Sequence, residues 1–107
     1  MTIYESLQGI NAYPVPDRAL VTIATKRGLE PETVVTATIL NSDAYMLAHA
    51  DVLFWLSMAP NVTQGGQSYS FTDEQREEMR GQAMDTYKDL DPDNAPKTRY
   101  GYKGDTL

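Results

Sequence analysis

The clearest repeat of apolar positions runs through Tyr45, Ala48, Val52, Trp55 and Leu56, a spacing of three and four that gathers them on one side of a helix. Leu47, Phe54 and Met58 widen that stripe to most of the circumference. The pattern predicts a central core helix from about Asp43 to Met58, with Ser42 as N-cap and Pro60 closing it. The same stretch contains His49 and Asp51 and is shorter than the ~20 residues that span a bilayer, so a buried helix explains it better. Upstream, Thr2 and Glu5 have capping-box spacing and predict a short helix over residues 3–8, ended by Gly9. Asn11-Ala12-Tyr13-Pro14-Val15-Pro16 reads as an extended connector, because each proline pushes its predecessor out of the helical region.

Asp17 is the expected N-cap of a second helix, with Leu20, Ile23 and Ala24 on one face and Lys26-Arg27 at the negative end before Gly28. Pro31 and Glu32 suit the first turn of a third helix. Thr33 to Leu40 is so rich in β-branched residues that propensity opposes this helix and leaves tertiary burial to decide. Between Asn61 and Phe71 the composition turns to Thr, Gln, Gly and Ser. Gly65-Gly66 between short alternating segments predicts a loop or a small two-stranded hairpin. Thr72 and Gln75 form a second capping box, and Asp73, Glu74, Glu77 and Glu78 favour the positive end of a fifth helix whose buried stripe is Met79, Ala83, Met84, Tyr87 and Leu90. From Asp91 the chain has no aliphatic residue larger than Ala95 before Leu107 and reads as an extended arm. The expected architecture is all-α: a small bundle of four to five helices over residues 1–90, with a Gly-rich loop or short β-hairpin at 61–71 and an extended C-terminal tail over 91–107.

A chain of 107 residues has room for one hydrophobic core. It contains no cysteine, which excludes disulfides, thiolate metal sites and a cysteine nucleophile. Fifteen acidic against nine basic side chains give a net charge of −6. That balance disfavours sequence-independent binding to nucleic acid and to anionic lipid. No basic and apolar leader follows Met1, so the chain is expected to stay in the cytoplasm where it is made.

Candidate chemistry is sparse. His49 and Asp51 could form an acid–base pair, but residues two apart on a helix point in different directions, and no serine or second histidine is near in sequence. Asp51, set among apolar residues, is expected to pair with Arg76, Arg80 or a tyrosine hydroxyl. Asp91-Pro92-Asp93-Asn94 lacks the glycine and the distal glutamate of a calcium loop and reads as a solvated turn. Gln64-Gly65-Gly66-Gln67-Ser68 has no lysine and is no phosphate loop. No catalytic, cofactor-binding or metal-ligating residue is assigned, and no cofactor is expected. Residues 23–34 have the order of a helix-turn-helix, but Glu32 to Thr38 includes no Arg or Lys to meet phosphates or base edges. A small cytoplasmic regulator or protein-binding adaptor built on that pair is the alternative reading.

The remaining features suit assembly. Gln64, Gly65, Gly66, Tyr69 and Phe71 lie on the 61–71 segment, where self-packing and partner contact weigh equally. Glu74 and Glu78 lie on the acidic first turns of the fifth helix. Lys97, Arg99, Tyr100, Tyr102 and Lys103 give the tail a local positive charge with interleaved tyrosines, a composition that favours contact with a partner.

The helix after Pro16-Asp17, the long helix from Ser42 to Met58 ending in Ala59-Pro60-Asn61, the loop from Gln64 to Phe71, and the acidic-capped helix from Thr72-Asp73-Glu74 occur in an order that resembles the small head–tail connector (adaptor) proteins of tailed bacteriophages and prophages. The likeness spans about residues 17–90 and rests on element order and loop character. It implies a structural virion protein at the head–tail junction, assembled in the bacterial host cytoplasm. The expected form is a homo-oligomeric ring, commonly a dodecamer, between the portal protein and a tail-side protein, with DNA passing through without specific binding. Such a ring needs head-to-tail contacts between two different faces of each copy. The acidic turn of the fifth helix and the Lys97 to Lys103 segment are one candidate pair. The resemblance carries no catalytic residue and no membrane contact.

Overall fold

Helix α1 (Ile3–Gln8) carries the expected capping box in the computed structural model, which describes residues 1–94. The Glu5 amide donates to Thr2 Oγ1 at 3.1 Å, and the Thr2 amide donates to the Glu5 carboxylate at 2.8 Å. Helix α2 (Asp17–Lys26) begins one residue earlier than expected: Pro16 holds the N-cap position and Asp17 is the first helical residue. The Asp17 carboxylate accepts a hydrogen bond from the Tyr4 hydroxyl instead of capping its own helix. It still lies at the positive end of α2. Gly28, at φ +78°, turns the chain out of α2 as expected.

The third helix is largely absent, and propensity wins over the Pro31 signal. Only Ala37–Leu40 is helical (α3), capped by Thr36, whose hydroxyl accepts from the Ile39 amide at 3.2 Å. Residues 31–33 turn beside the N-terminus, and Val34 forms an antiparallel bridge with Thr2. The Ile3 and Tyr4 amides donate to the Thr33 and Pro31 carbonyls, both at 2.9 Å. Those amides belong to the first turn of α1 and have no partner within their own helix, so the β-branched segment satisfies them from outside. The helix-turn-helix therefore lacks its second helix.

Helix α4 (Asp43–Ser57) starts at Ser42 as expected, with the Tyr45 amide donating to the Ser42 hydroxyl at 3.2 Å. Its opposite faces serve two clusters. One face places Tyr45, Ala48, Val52 and Leu56 in the main core with Ile3, Leu7, Tyr13, Val15, Leu20, Ala24 and Ala59. The other places Ala50, Leu47, Leu53 and Phe54 against α5 (Asp73–Leu90), which contributes Ala83, Met84 and Tyr87. Met58, expected to widen the core stripe, lies just past the last helical turn and is 64% exposed. The proline-rich connector is more than a spacer, since Tyr13 and Val15 are core residues.

Between the long helices stands a hairpin of strands β1 (Val62–Gln64) and β2 (Gln67–Tyr69). Gly65 and Gly66 have φ of +61° and +78°, the positive values that a two-residue hairpin turn of the primed type demands at both positions. Helix α5 opens with its capping box: the Gln75 amide donates to Thr72 Oγ1 at 3.1 Å, and the Thr72 amide donates to Gln75 at 2.8 Å. Pro92–Asn94 closes the described chain as a single 3₁₀ turn. The described residues are thus mostly helical, with five α-helices and one small antiparallel hairpin.

Candidate partner-binding surface

The sequence leaves the first turns of α5 polar on nearly every side, and the fold keeps them so. Asp73, Glu74, Glu77 and Glu78 are all exposed. Among the described residues none of these carboxylates forms an ion pair. Asp73 with Glu77, and Glu74 with Glu78, are like-charge pairs one turn apart, each unfavourable by about 0.2–0.5 kcal/mol on an isolated helix. The helix dipole offsets part of this repulsion. A shallow hollow runs along this face between Thr72, Glu74, Gln75, Glu77 and Glu78.

The one cation in these turns faces inward. Arg76 donates to the Ala59 carbonyl at 2.6 Å, the Ser57 carbonyl at 3.3 Å and the Asn61 side chain at 2.8 Å, with its guanidinium 5.5 Å from the centre of the Phe71 ring. It caps the C-terminal end of α4, where carbonyls lack helical partners. Arg76 is therefore not the partner of Asp51.

The hairpin divides by position. Gln64, Gly65 and Gly66 at its tip are exposed. Tyr69 and Phe71 at its base are partly buried against Tyr13, whose ring meets Phe71 in a stack at 5.6 Å and Tyr69 and Trp55 edge-on at 6.3 and 5.8 Å. The Tyr13 hydroxyl donates to the Pro60 carbonyl at 2.5 Å. Self-packing thus claims the two aromatics, and the tip stays exposed. Nothing in the sequence marked Tyr13 except its place between prolines, which fixes the backbone direction but not its neighbours. Lys97, Arg99, Tyr100, Tyr102 and Lys103 lie outside the described residues.

His49 and Asp51 do not meet. Asp51 accepts from Arg27 Nε at 2.7 Å, from Arg27 Nη2 at 2.9 Å and from the Tyr87 hydroxyl at 2.5 Å. The tyrosine partner was expected and the arginine comes from α2 instead of α5. Arg27 also lies 3.6 Å from Asp91 and 5.9 Å from the centre of the Tyr87 ring, so one carboxylate joins α2, α4 and α5. The hydrogen bonds that Arg27 donates to Asp51 raise the Arg27 pKa, and burial together with Asp51 pushes the Tyr87 phenol well above its ordinary range. His49 is half-buried, which lowers its pKa by disfavouring the imidazolium, and it has no hydrogen-bond partner among the described residues. Among those residues no three His, Asp or Glu side chains converge to hold a metal ion, and no helix is long and apolar enough to cross a membrane.

No curated protein and no solved structure matches the chain. Residues 1–98 match the model of a family of unknown function, DUF6706, and the chain belongs to that family.

Proposed function

We propose that this protein is a structural assembly protein, a head–tail connector that forms a homo-oligomeric ring between the portal protein and a tail-side protein of a tailed phage. In this reading the helices form a small bundle, and the protein holds neighbours together without transforming a substrate. The observation that carries it is the α5 face: four exposed carboxylates, two of them in each like-charge pair, without a described counter-ion. Such a face is relieved by a basic surface from another molecule. The Lys97 to Lys103 segment of an adjacent copy has the matching charge, which would make the contact head-to-tail and able to close a ring. An acidic surface left towards a channel would keep a passing DNA duplex from adhering.

The test is light scattering and electron microscopy of the full chain, alone and mixed with the portal protein. Closed rings, alone or on the portal, are expected, with assembly weakening at least tenfold in the Glu74→Lys/Glu78→Lys variant and falling as salt screens the contact. A chain that stays monomeric in both settings overturns the proposal. Rings that form equally well in the double variant remove α5 from the contact.

A further inference from the structure

A shallow groove lined by Leu40, Tyr45, Met46, His49 and Thr86 lies where α3, α4 and α5 meet. Asp51 and its partners are on another side of α4, since two residues correspond to about 200° around a helix. Two of the groove's polar groups are already engaged. The Tyr45 hydroxyl shares a hydrogen bond with Ser6, and the Thr86 hydroxyl donates to the Gln82 carbonyl at 3.2 Å. The donor atoms left are the Met46 thioether and the His49 imidazole, neither with a hydrogen-bond partner among the described residues. Met46 is 36% exposed and His49 half-buried, so a solute can reach both.

Met46 and His49 are three residues apart on α4, which places their Cβ atoms roughly 5–6 Å from each other. A metal ion held in line between one sulfur and one nitrogen separates those atoms by roughly 4 Å, the sum of bonds of about 2.3 and 2.0 Å. Two long side chains on successive turns of one helix can meet that distance. The ligand types then select the ion. None of the five lining residues is a carboxylate, so cations that take oxygen ligands find nothing to hold them. Zinc sites call for three or four protein ligands. Cu(I) is soft, favours thioether sulfur, accepts two ligands, and brings one charge instead of two to be desolvated beside Leu40. No cysteine elsewhere in the chain competes for it, and the net charge of −6 attracts any cation.

We propose that Met46 and His49 form a binding site for a soft monovalent cation, Cu(I), held between the thioether sulfur and an imidazole nitrogen against the apolar wall of Leu40 and Tyr45. The inference does not depend on ring formation.

His49 is the chain's one histidine, so a single set of imidazole resonances reports on the site. The probe is Ag(I), which shares the coordination preference and does not change oxidation state, titrated as its nitrate into chloride-free full-length protein. The His49 imidazole and Met46 methyl resonances should shift together and saturate at one equivalent. Met46→Leu and His49→Gln should each weaken binding at least tenfold, and urea unfolding of the metal-free variants checks that both fold. Met58→Leu, which removes an exposed thioether outside the groove, should leave binding unchanged. Cu(I) kept reduced with ascorbate should reproduce the pattern, and Zn(II) should bind at least tenfold more weakly than Ag(I). A Met46 methyl that stays in place while His49 shifts, undiminished affinity in Met46→Leu, or Zn(II) binding as tight as that of Ag(I) overturns the proposal.

Discussion

The two sides of α4 are built on different physics. Toward α1 and α2 it contributes four residues to a core of eleven buried ones, with Leu20, Ala24, Ala48 and Leu56 fully inaccessible. Toward α5 the buried cluster has three members, Ala50 of α4 with Ala83 and Tyr87 of α5, and its two alanines let the helices approach closely without burying much apolar area. Helix α5 has eighteen residues, of which only Ala83 and Tyr87 are buried, and among the described elements it packs on α4 and the 3₁₀ turn alone. What hydrophobic area does not supply, polar anchors do: Arg76 at one end of the pair and Asp51 toward the other. A layer held this way keeps most of its surface free for a partner and opens at lower free energy than the layer beneath it.

The sharpest way to break this contrast is to cut each side. Leu56→Ala removes a fully buried side chain from the main core and should cost about 2–5 kcal/mol, a large share of the stability of a small domain. Met84→Ala, in the α4–α5 cluster and only partly buried, should cost less than half as much. Urea unfolding midpoints measure both. Equal losses would show that the two sides form one core of uniform strength.

Next in size is the polar node. Asp51→Ala leaves the Arg27 guanidinium and the Tyr87 hydroxyl without their acceptor. A hydrogen bond to a charged group is worth about 1.5–3 kcal/mol, but both ionic side chains keep roughly a fifth of their surface exposed and Asp91 remains near Arg27, so a loss of about 2 kcal/mol is expected. Tyr87→Phe should cost about 1 kcal/mol. Amide hydrogen exchange should show α5 losing protection before α1 and α2. Loss of protection throughout would mean that the node supports the main core as well.

How far these features were legible in the sequence follows the same division. Elements defined by local chemistry were readable: both capping boxes, Ser42 ahead of α4, and the Gly65-Gly66 turn, because each rests on contacts within four residues. Long-range choices were not. Tyr13 between prolines looked like a spacer, and only the approach of Trp55 and the hairpin makes it a core residue. Residues 31–36 carried both a helix-start signal and β-branched side chains. The N-terminus decided the conflict by offering amides that needed carbonyls. Asp51 advertised a partner, but whether the arginine came from α2 or α5 depended on which edge of α4 faced which helix. For the candidate surface, the acidic turns and the hairpin tip were readable because exposure there follows from composition, whereas the inward turn of Tyr69 and Phe71 was not.

A smaller effect of opposite sign tests whether α5 is deliberately under-stabilised. Gly81 sits in the exposed middle of the helix, and a Cβ built there meets nothing within 4 Å. Gly81→Ala should therefore stabilise the protein by about 0.5–1 kcal/mol through the entropy of the unfolded chain. The gain should appear as slower hydrogen exchange in α5 with little change in α1. A loss of stability would mean that the glycine position is packed or strained in a way the fold does not show.

The smallest expected effect is a slope. His49 is the chain's one histidine, and burial in the α4 groove holds its pKa below the ordinary value of 6.5. Across the interval between the folded value and about 6.5 the unfolded chain binds a proton that the folded chain does not, so stability must rise with pH there. The contribution is fully present above about pH 6.5 and is lost as pH falls toward the folded pKa. His49→Gln, which keeps a polar group but does not titrate, should flatten this slope in urea unfolding measured from pH 5.5 to 7.5. Glu5 stays clear of this window, because the Thr2 amide hydrogen-bonds its charged form and holds it below the ordinary carboxylate range. A slope unchanged in the variant would place the responsible proton elsewhere and remove burial of His49 as a distinguishing property of this edge of α4.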